Sequence, residues 1–298
     1  MNPREQGFLL LTSHLGNPER KPLTVAQLRL LAERVRSAPL PAEDRELCPE
    51  DLIALGYGQE MARRVVALLE EQDVLEYYLH KAARLGCVPV SRVSPEYPPV
   101  LRKRLGLDGP GCLWARGDRS LLNTPMIALV GSRELKDENR EFAAEVGRQA
   151  ALQGYTLVSG NARGADRTAQ NACLSSGGRV ISVVADELVK QPLRERMLYL
   201  SEDGFEEVFS AQRALSRNRV IHALGAKILV AQCSYKTGGT WDGTVKNLRF
   251  GWSPVCCFGD GSEAAKLLEQ MGAELVDREQ LEDIREIGVP AQSWLDRL

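Results

Sequence analysis

From residue 126 onward, short and nearly continuous apolar runs alternate with stretches of helical periodicity, and no other feature restricts the fold as strongly. The runs are MIALV (126–130), YTLVS (155–159), RVISVV (179–184), AKILVA (226–231), PVCCF (254–258) and AELV (273–276). Helical patterns lie between most of them, at 136–153, 164–177, 192–203, 216–224, 243–250 and 262–271. Strands that are apolar on both faces and separated by helices call for a parallel sheet covered on both sides. The expected fold is α/β, with a mainly parallel sheet over residues 126–298 and Met126–Val130 at its centre. Ligands of such sheets sit at the carboxyl ends of the strands.

The N-terminal part reads differently. TVAQLRLLAERVR (24–36) and residues 59–85 carry apolar side chains at three- and four-residue spacing, the mark of amphipathic helices. Residues 1–80 are therefore expected to form a separate helical module. Within it, Gly56 and Gly58 open a helix in a pattern that looks like a helix-hairpin-helix, whose turn amides can meet a phosphate. The alternative is a plain helical module packed through Leu52, Leu55, Val65 and Leu69. Residues 81–125 are rich in Pro and Gly and read as an extended connector packing on the next domain.

Charge separates the same regions. Residues 1–80 hold 9 Lys or Arg against 13 Asp or Glu, residues 81–259 hold 25 against 17, and residues 260–298 hold 4 against 10. A polyanion would be drawn to the middle segment. No run approaches the ~20 apolar residues of a membrane span, and FLLL near the start is too short for a signal-peptide core. A soluble cytoplasmic protein is expected. The seven cysteines form no C-x-x-C pair and the three histidines lie at no ligand spacing. Reduced structural thiols are expected, with no metal site and no cofactor.

The strand ends carry the chemistry. The first run ends in Gly131-Ser132-Arg133, where a glycine lets a ligand approach the backbone and amides, hydroxyl and guanidinium suit a phosphate. Residues 131–136 read GSRELK, neither the G-x-G-x-x-G of dinucleotide sites nor a Walker A loop. The second run ends in Ser159-Gly160-Asn161-Ala162-Arg163-Gly164-Ala165-Asp166, a second phosphate-sized nest. Asp166 there either caps the next helix or orients Arg163. Ser216-Arg217-Asn218-Arg219 is read as opening the helix before the fourth run. That run leads into Tyr235-Lys236-Thr237-Gly238-Gly239-Thr240.

VGSR, SGNARGADRTA, SRNRVI, TGGT and GDGSEAAKLLEQMGAELV occur in the order found in the DNA-processing protein A (DprA/Smf) family, preceded by Tyr97-Pro98 and LWARGD. The chain resembles that family over about residues 45–280. The resemblance implies a Rossmann-like, doubly wound domain that binds single-stranded DNA without catalysis, forms a homodimer, and helps load the RecA recombinase in natural transformation. Carried over, its pocket comprises Gly131, Ser132, Arg133, Ser159, Gly160, Arg163, Gly164 and Asp166. Arg217, Asn218 and Arg219 join it, with Lys236, Thr237, Gly238, Gly239 and Thr240 nearby. The chain departs from the family pattern at Ala165, at Gln170 where a histidine is usual, and at Gln232 where a glutamate is usual.

Two functions follow. One is a cationic groove for single-stranded DNA with aromatic platforms such as Tyr235 or Trp241, unless those rings are buried. The other is a pocket for a small nucleotide, a sensor or a phosphoribohydrolase, similar to the lysine-decarboxylase-like (LOG) relatives of the same superfamily. Their P-G-G-x-G-T-x-x-E loop supplies a catalytic glutamate, but Gly243 stands three residues after Thr240 here and the nearby acid is Asp242. Hydrolysis thereby loses its best candidate.

Overall fold

The computed structural model describes residues 1–37 and 47–289. Residues 38–46 and 290–298, assigned above to the helical module and the α/β domain, lie outside the described residues. The chain forms two compact units. One comprises Met1–Tyr97, Pro110–Trp114 and Glu202–Gly204; the other comprises Pro98–Gly109, Ala115–Ser201 and Phe205–Leu298.

The first unit carries α1 (Pro3–Thr12), α2 (Val25–Ser37), α3 (Pro49–Ala54), α4 (Gln59–Glu70), α5 (Gln72–Arg84) and strand β1 (Val88–Ser91). Asn2 and Glu5 form a reciprocal capping box that starts α1. Leu23, Leu31, Leu52, Val65 and Leu68 make a core against which Leu55 and Leu69 pack. The α3–α4 turn needs Gly56, at φ +84°. Its carbonyl accepts from Arg34 Nη1 at 2.6 Å, and the same guanidinium lies 4.3 Å from the Tyr57 ring centroid. This hairpin is thus held from within by a cation and packed as a helical module. Residues 59–85 form two helices, broken at Glu71, whose carboxylate meets the buried Arg20 at 2.5 Å.

Residues 81–125 contain more regular structure than an extended connector. They hold the end of α5, β1, α6 (Pro99–Leu105) and β2 (Cys112–Gly117). Pro99 occupies the first helical position, where its missing N–H costs nothing, so a proline that reads as a helix breaker here starts one.

In the second unit the elements run β3 (Met126–Val130), α7 (Asp137–Leu152), β4 (Thr156–Ser159), α8 (Ala165–Ser175), β5 (Arg179–Val183) and β6 (Met197–Ser201). They continue with α9 (Ala211–Leu224), β7 (Ile228–Val230), α10 (Gly238–Phe250), β8 (Val255–Phe258), α11 (Glu263–Gln270) and β9 (Glu274–Val276). The strands lie in the order β6-β5-β4-β3-β7-β8-β9 and all of these neighbours pair in parallel. This is a Rossmann-like sheet, with β3 central and fully buried, Ala128 standing between Val158 and Ile228. The direction of winding reverses between β3 and β7, which opens a crevice at their carboxyl ends.

Three expectations change. The helical pattern at 192–203 is the strand β6, all five residues buried and paired with β5 from Val180 opposite Met197. MLYLS is a short apolar run, for which periodicity does not separate strand from helix. The helix α9 starts at Ala211, with the Ser210 hydroxyl accepting from the Arg213 amide at 3.0 Å. Ser216–Arg219 therefore lie inside that helix instead of opening it. Helix α10 likewise begins at Gly238, five residues before the expected 243. Among the described residues no helix is long and apolar enough to cross a membrane.

Candidate functional site

Three turns meet above the β3–β7 reversal, and small residues let them touch. A Cβ on Gly131 would overlap that of Ala165. A Cβ on Gly164, at φ +86°, would overlap the carbonyl oxygens of Ser132 and Arg133. The Ala165 amide donates to the Ser132 carbonyl at 3.1 Å, joining the β3 and β4 turns. On the other side the Ser132 amide donates to the Gln232 carbonyl at 2.9 Å. The Gln232 side chain accepts from the Lys136 amide at 3.0 Å and donates to the Glu134 carbonyl at 3.2 Å. Gln232 thus pins the β3–α7 turn, using a donor that a glutamate would lack.

Together these turns and α9 enclose a cleft of about 1020 Å³. Its floor is Asp166, nearly fully buried, whose carboxylate accepts from the Gly160 and Ala162 amides at 3.2 and 3.1 Å. Burial pushes its pKa above the usual carboxylate range, while Arg217 and the two amides pull it down. Arg217 is itself buried and lies against Gly160. Asn218, next on α9, donates to the Gly239 carbonyl at 3.1 Å and so fastens α9 to the start of α10. Arg133 also lines the cleft and is exposed.

The residues picked from sequence divide into two groups. Gly131, Ser132, Arg133, Asp166, Arg217, Asn218 and Thr237 to Thr240 line the cleft. Gly160 and Gly164 shape it from behind. The four arginines do not converge as a set. Arg163 is out at the surface with Glu134, 3.1 Å apart, both side chains more than 70% exposed at 73% and 88%. Such a pair contributes little. Arg219 donates to the carbonyls of Asp108 at 2.8 Å and Ser216 at 2.7 Å, outside the cleft lining. Two residues on a helix are about 200° apart, so Arg217 and Arg219 face different ways. Ser159 is buried in the sheet, accepting from Gln170 Nε2 at 2.5 Å. Lys236, at φ +53°, lies over the Tyr235 ring instead of lining the cleft.

Several lining residues lie outside the set that the sequence assigns to the pocket: Glu134, Ala211, Ala214, Leu215, Ser234 and Lys246, and also Gln232 and Asp242, which the motifs single out without placing them there. Ala211, Ala214, Leu215 and Asn218 have the spacing of one helical face, a signal visible only once α9 is known to start at Ala211. Asp242 and Lys246 form an i,i+4 pair at 2.8 Å on α10. The lining balances Arg133, Arg217 and Lys246 against Glu134, Asp166 and Asp242. Among the described residues no group of three His, Cys, Asp or Glu is placed to hold a metal. None of the seven cysteines is in a disulfide, and burial pushes Cys173 and Cys233 up to about 11.

The family described as DNA recombination-mediator protein A matches residues 89–286, which span the whole of this cleft. The chain belongs to that family. DNA recombination-mediator protein A relatives include the DNA processing protein DprA of Streptococcus pneumoniae, 30% identical over 141 residues, 44% of this chain and 50% of that protein. DprA of Bacillus subtilis is 27% identical over 186 residues, 59% and 58% of the two chains. The chain thus spans about half the length of these curated relatives. The crystal structure of S. pneumoniae DprA shares the fold with a TM-score of 0.68 at 24% identity, covering 87% of this chain and 92% of that one. A DprA from Helicobacter pylori, described for its single-stranded DNA binding mode, has a TM-score of 0.55 at 21% identity, covering 71% and 96%.

Proposed function

We propose that this recombination-mediator family member binds single-stranded DNA in the β3–β7 cleft and does so without catalysis. The observation that carries this reading is the pairing of an exposed Arg133 with the uncapped start of α10 and the buried Arg217–Asp166 floor. The first amides of α10, from Gly238 to Thr240, carry no side-chain cap and suit phosphate oxygens, and Arg133 adds an exposed cation. The α9 wall of Ala211, Ala214 and Leu215 offers apolar surface to a base. The relatives named for DNA processing support the same ligand class. Following the family resemblance, the bound strand is passed to a RecA-type recombinase by a homodimer. Of the apolar side chains at the end of α11, Leu268 is fully buried, Leu267 is half-buried and Met271, just past the helix, is 40% exposed, so Leu267 and Met271 are what this end offers such an interface.

The test is fluorescence anisotropy with labelled oligothymidine across a salt series. Binding that weakens steeply with salt supports a strand held by several phosphates. A second reading, a small-nucleotide sensor, is favoured by the equal numbers of cations and acids in the lining, since a single nucleotide needs no extended positive track. A nucleotide retained through purification together with salt-insensitive or absent DNA binding would select it. Sedimentation with and without RecA tests the dimer and the handover.

A further inference from the structure

Helix α10 begins in the cleft and ends outside it at a group of side chains that the cleft does not use. Asp242 and Lys246 are in the cleft lining. Three and four residues on from Lys246, the same helical face carries Arg249 and Phe250. Both are exposed, Phe250 by 59%. The helix then stops at Gly251, which adopts the left-handed conformation at φ 64° and ψ 36°. The reversal brings Trp252 back onto Phe250, with ring centroids 5.6 Å apart and planes 15° from parallel. Arg249 completes the group, its guanidinium carbon 5.5 Å from the Phe250 centroid.

We infer that the Arg249–Phe250–Trp252 group is a second single-stranded DNA subsite, reached by a strand that leaves the cleft along α10; this rests on the proposed DNA-binding role of the cleft. An exposed phenylalanine on a helix end is ordinary, but a stacked ring pair beside a guanidinium offers apolar ring surface next to an exposed cation. A nucleotide has the complementary parts, a planar base and a phosphate. The position fits as well, since Phe250 lies about 12 Å along the helix axis from Asp242 at 1.5 Å per residue. Lys246 stands between them in an exposed ion pair with Asp242, for which a phosphate can compete, and Arg249 sets the positive charge at the far end of this face. Base stacking on aromatic rings is tolerant of sequence, in keeping with a general strand-binding role.

The test compares oligothymidines of about 5 and about 20 nucleotides, one near the lower end of the usual site sizes of about 4–16 and one beyond the upper end. The Phe250→Ala/Trp252→Ala protein should bind the longer one about tenfold more weakly and the shorter one as wild type does. Trp252→Phe keeps the ring pair and should retain full affinity, while losing the tryptophan quenching that only the longer strand produces. The subsite is overturned if the double variant binds both lengths like wild type or loses both equally. It is equally overturned if that variant sediments as a smaller species with unchanged DNA affinity, for the group is then a protein interface. If wild type binds neither length, the cleft reading fails and takes this one with it.

Discussion

The guanidinium of Arg217 occupies the space that a Cβ on Gly160 would need. The glycine after β4 and the arginine in the middle of α9 are therefore one packing arrangement, although 57 positions separate them in the chain. The Gly160 amide turns to Asp166, the carboxylate that also attracts Arg217. A turn, a helix face and a buried charge pair are thereby locked together beneath the cleft.

Gly160→Ala should destabilise the protein by about 1–3 kcal/mol, the usual cost of overpacking, and should weaken ligand binding. Urea melts of Gly160→Ala, Arg217→Ala and the double variant check this. The double variant should be less destabilised than the two single costs added, because the clash vanishes with the guanidinium.

Removing Arg217 alone leaves the Asp166 carboxylate buried without its countercharge, a change of about 3–5 kcal/mol for Arg217→Met. The folded-state pKa of Asp166 is already raised by burial, so the native state holds this proton more tightly than the unfolded chain. Its contribution to stability accordingly falls as pH rises above about 4, and Arg217→Met should extend that loss to higher pH. Melts of Arg217→Met at several pH values should show a slope that Asp166→Asn abolishes.

His222 gives the opposite slope. It sits on the buried face of α9 with no hydrogen-bond partner for either ring nitrogen, and burial drives its pKa down to about 3. The unfolded chain binds the proton first, so stability is complete above about pH 6.5 and falls by about 1.4 kcal/mol per unit as pH drops toward 3. His222→Leu should remove this slope at little cost near pH 7, since no hydrogen bond is broken.

Arg133→Ala should lower affinity tenfold to a hundredfold, about 1.5–3 kcal/mol, without changing the melting temperature, because this side chain is exposed. With a DNA strand the log–log salt slope should flatten by about one. With a single nucleotide it should not. A variant that binds both as wild type does removes Arg133 from the site.

Lys227→Met should loosen the C-terminal end of the described chain. The buried ammonium donates to the carbonyls of Ile284, Arg285 and Ile287, and without it those acceptors lose their partner at about 1–3 kcal/mol for each that stays buried. Limited proteolysis should cut near residues 284–288 in the variant and spare wild type.

The sequence alone determined the α/β class, the central place of Met126–Val130 and the turns where a ligand can approach. These are local matters: a short β-rich apolar run set between helical patterns fits an inner strand, and glycines at strand ends are read where they stand. The same local reading picked Arg133 and the Thr237–Thr240 turn, which do reach the cleft lining. It also treated Arg163, Arg217 and Arg219 as equals. Only the tertiary structure separated them, because the direction of a side chain on a helix depends on where that helix starts and what packs beneath it. Ser210 starts α9 five residues earlier than the arginine motif suggests, which turns Arg217 inward onto Gly160 and Arg219 away to the Asp108 carbonyl. β6 was likewise decided by a partner, since MLYLS becomes a strand when β5 offers it a free edge. Such choices belong to contacts distant in sequence, and no window along the chain contains both halves of them.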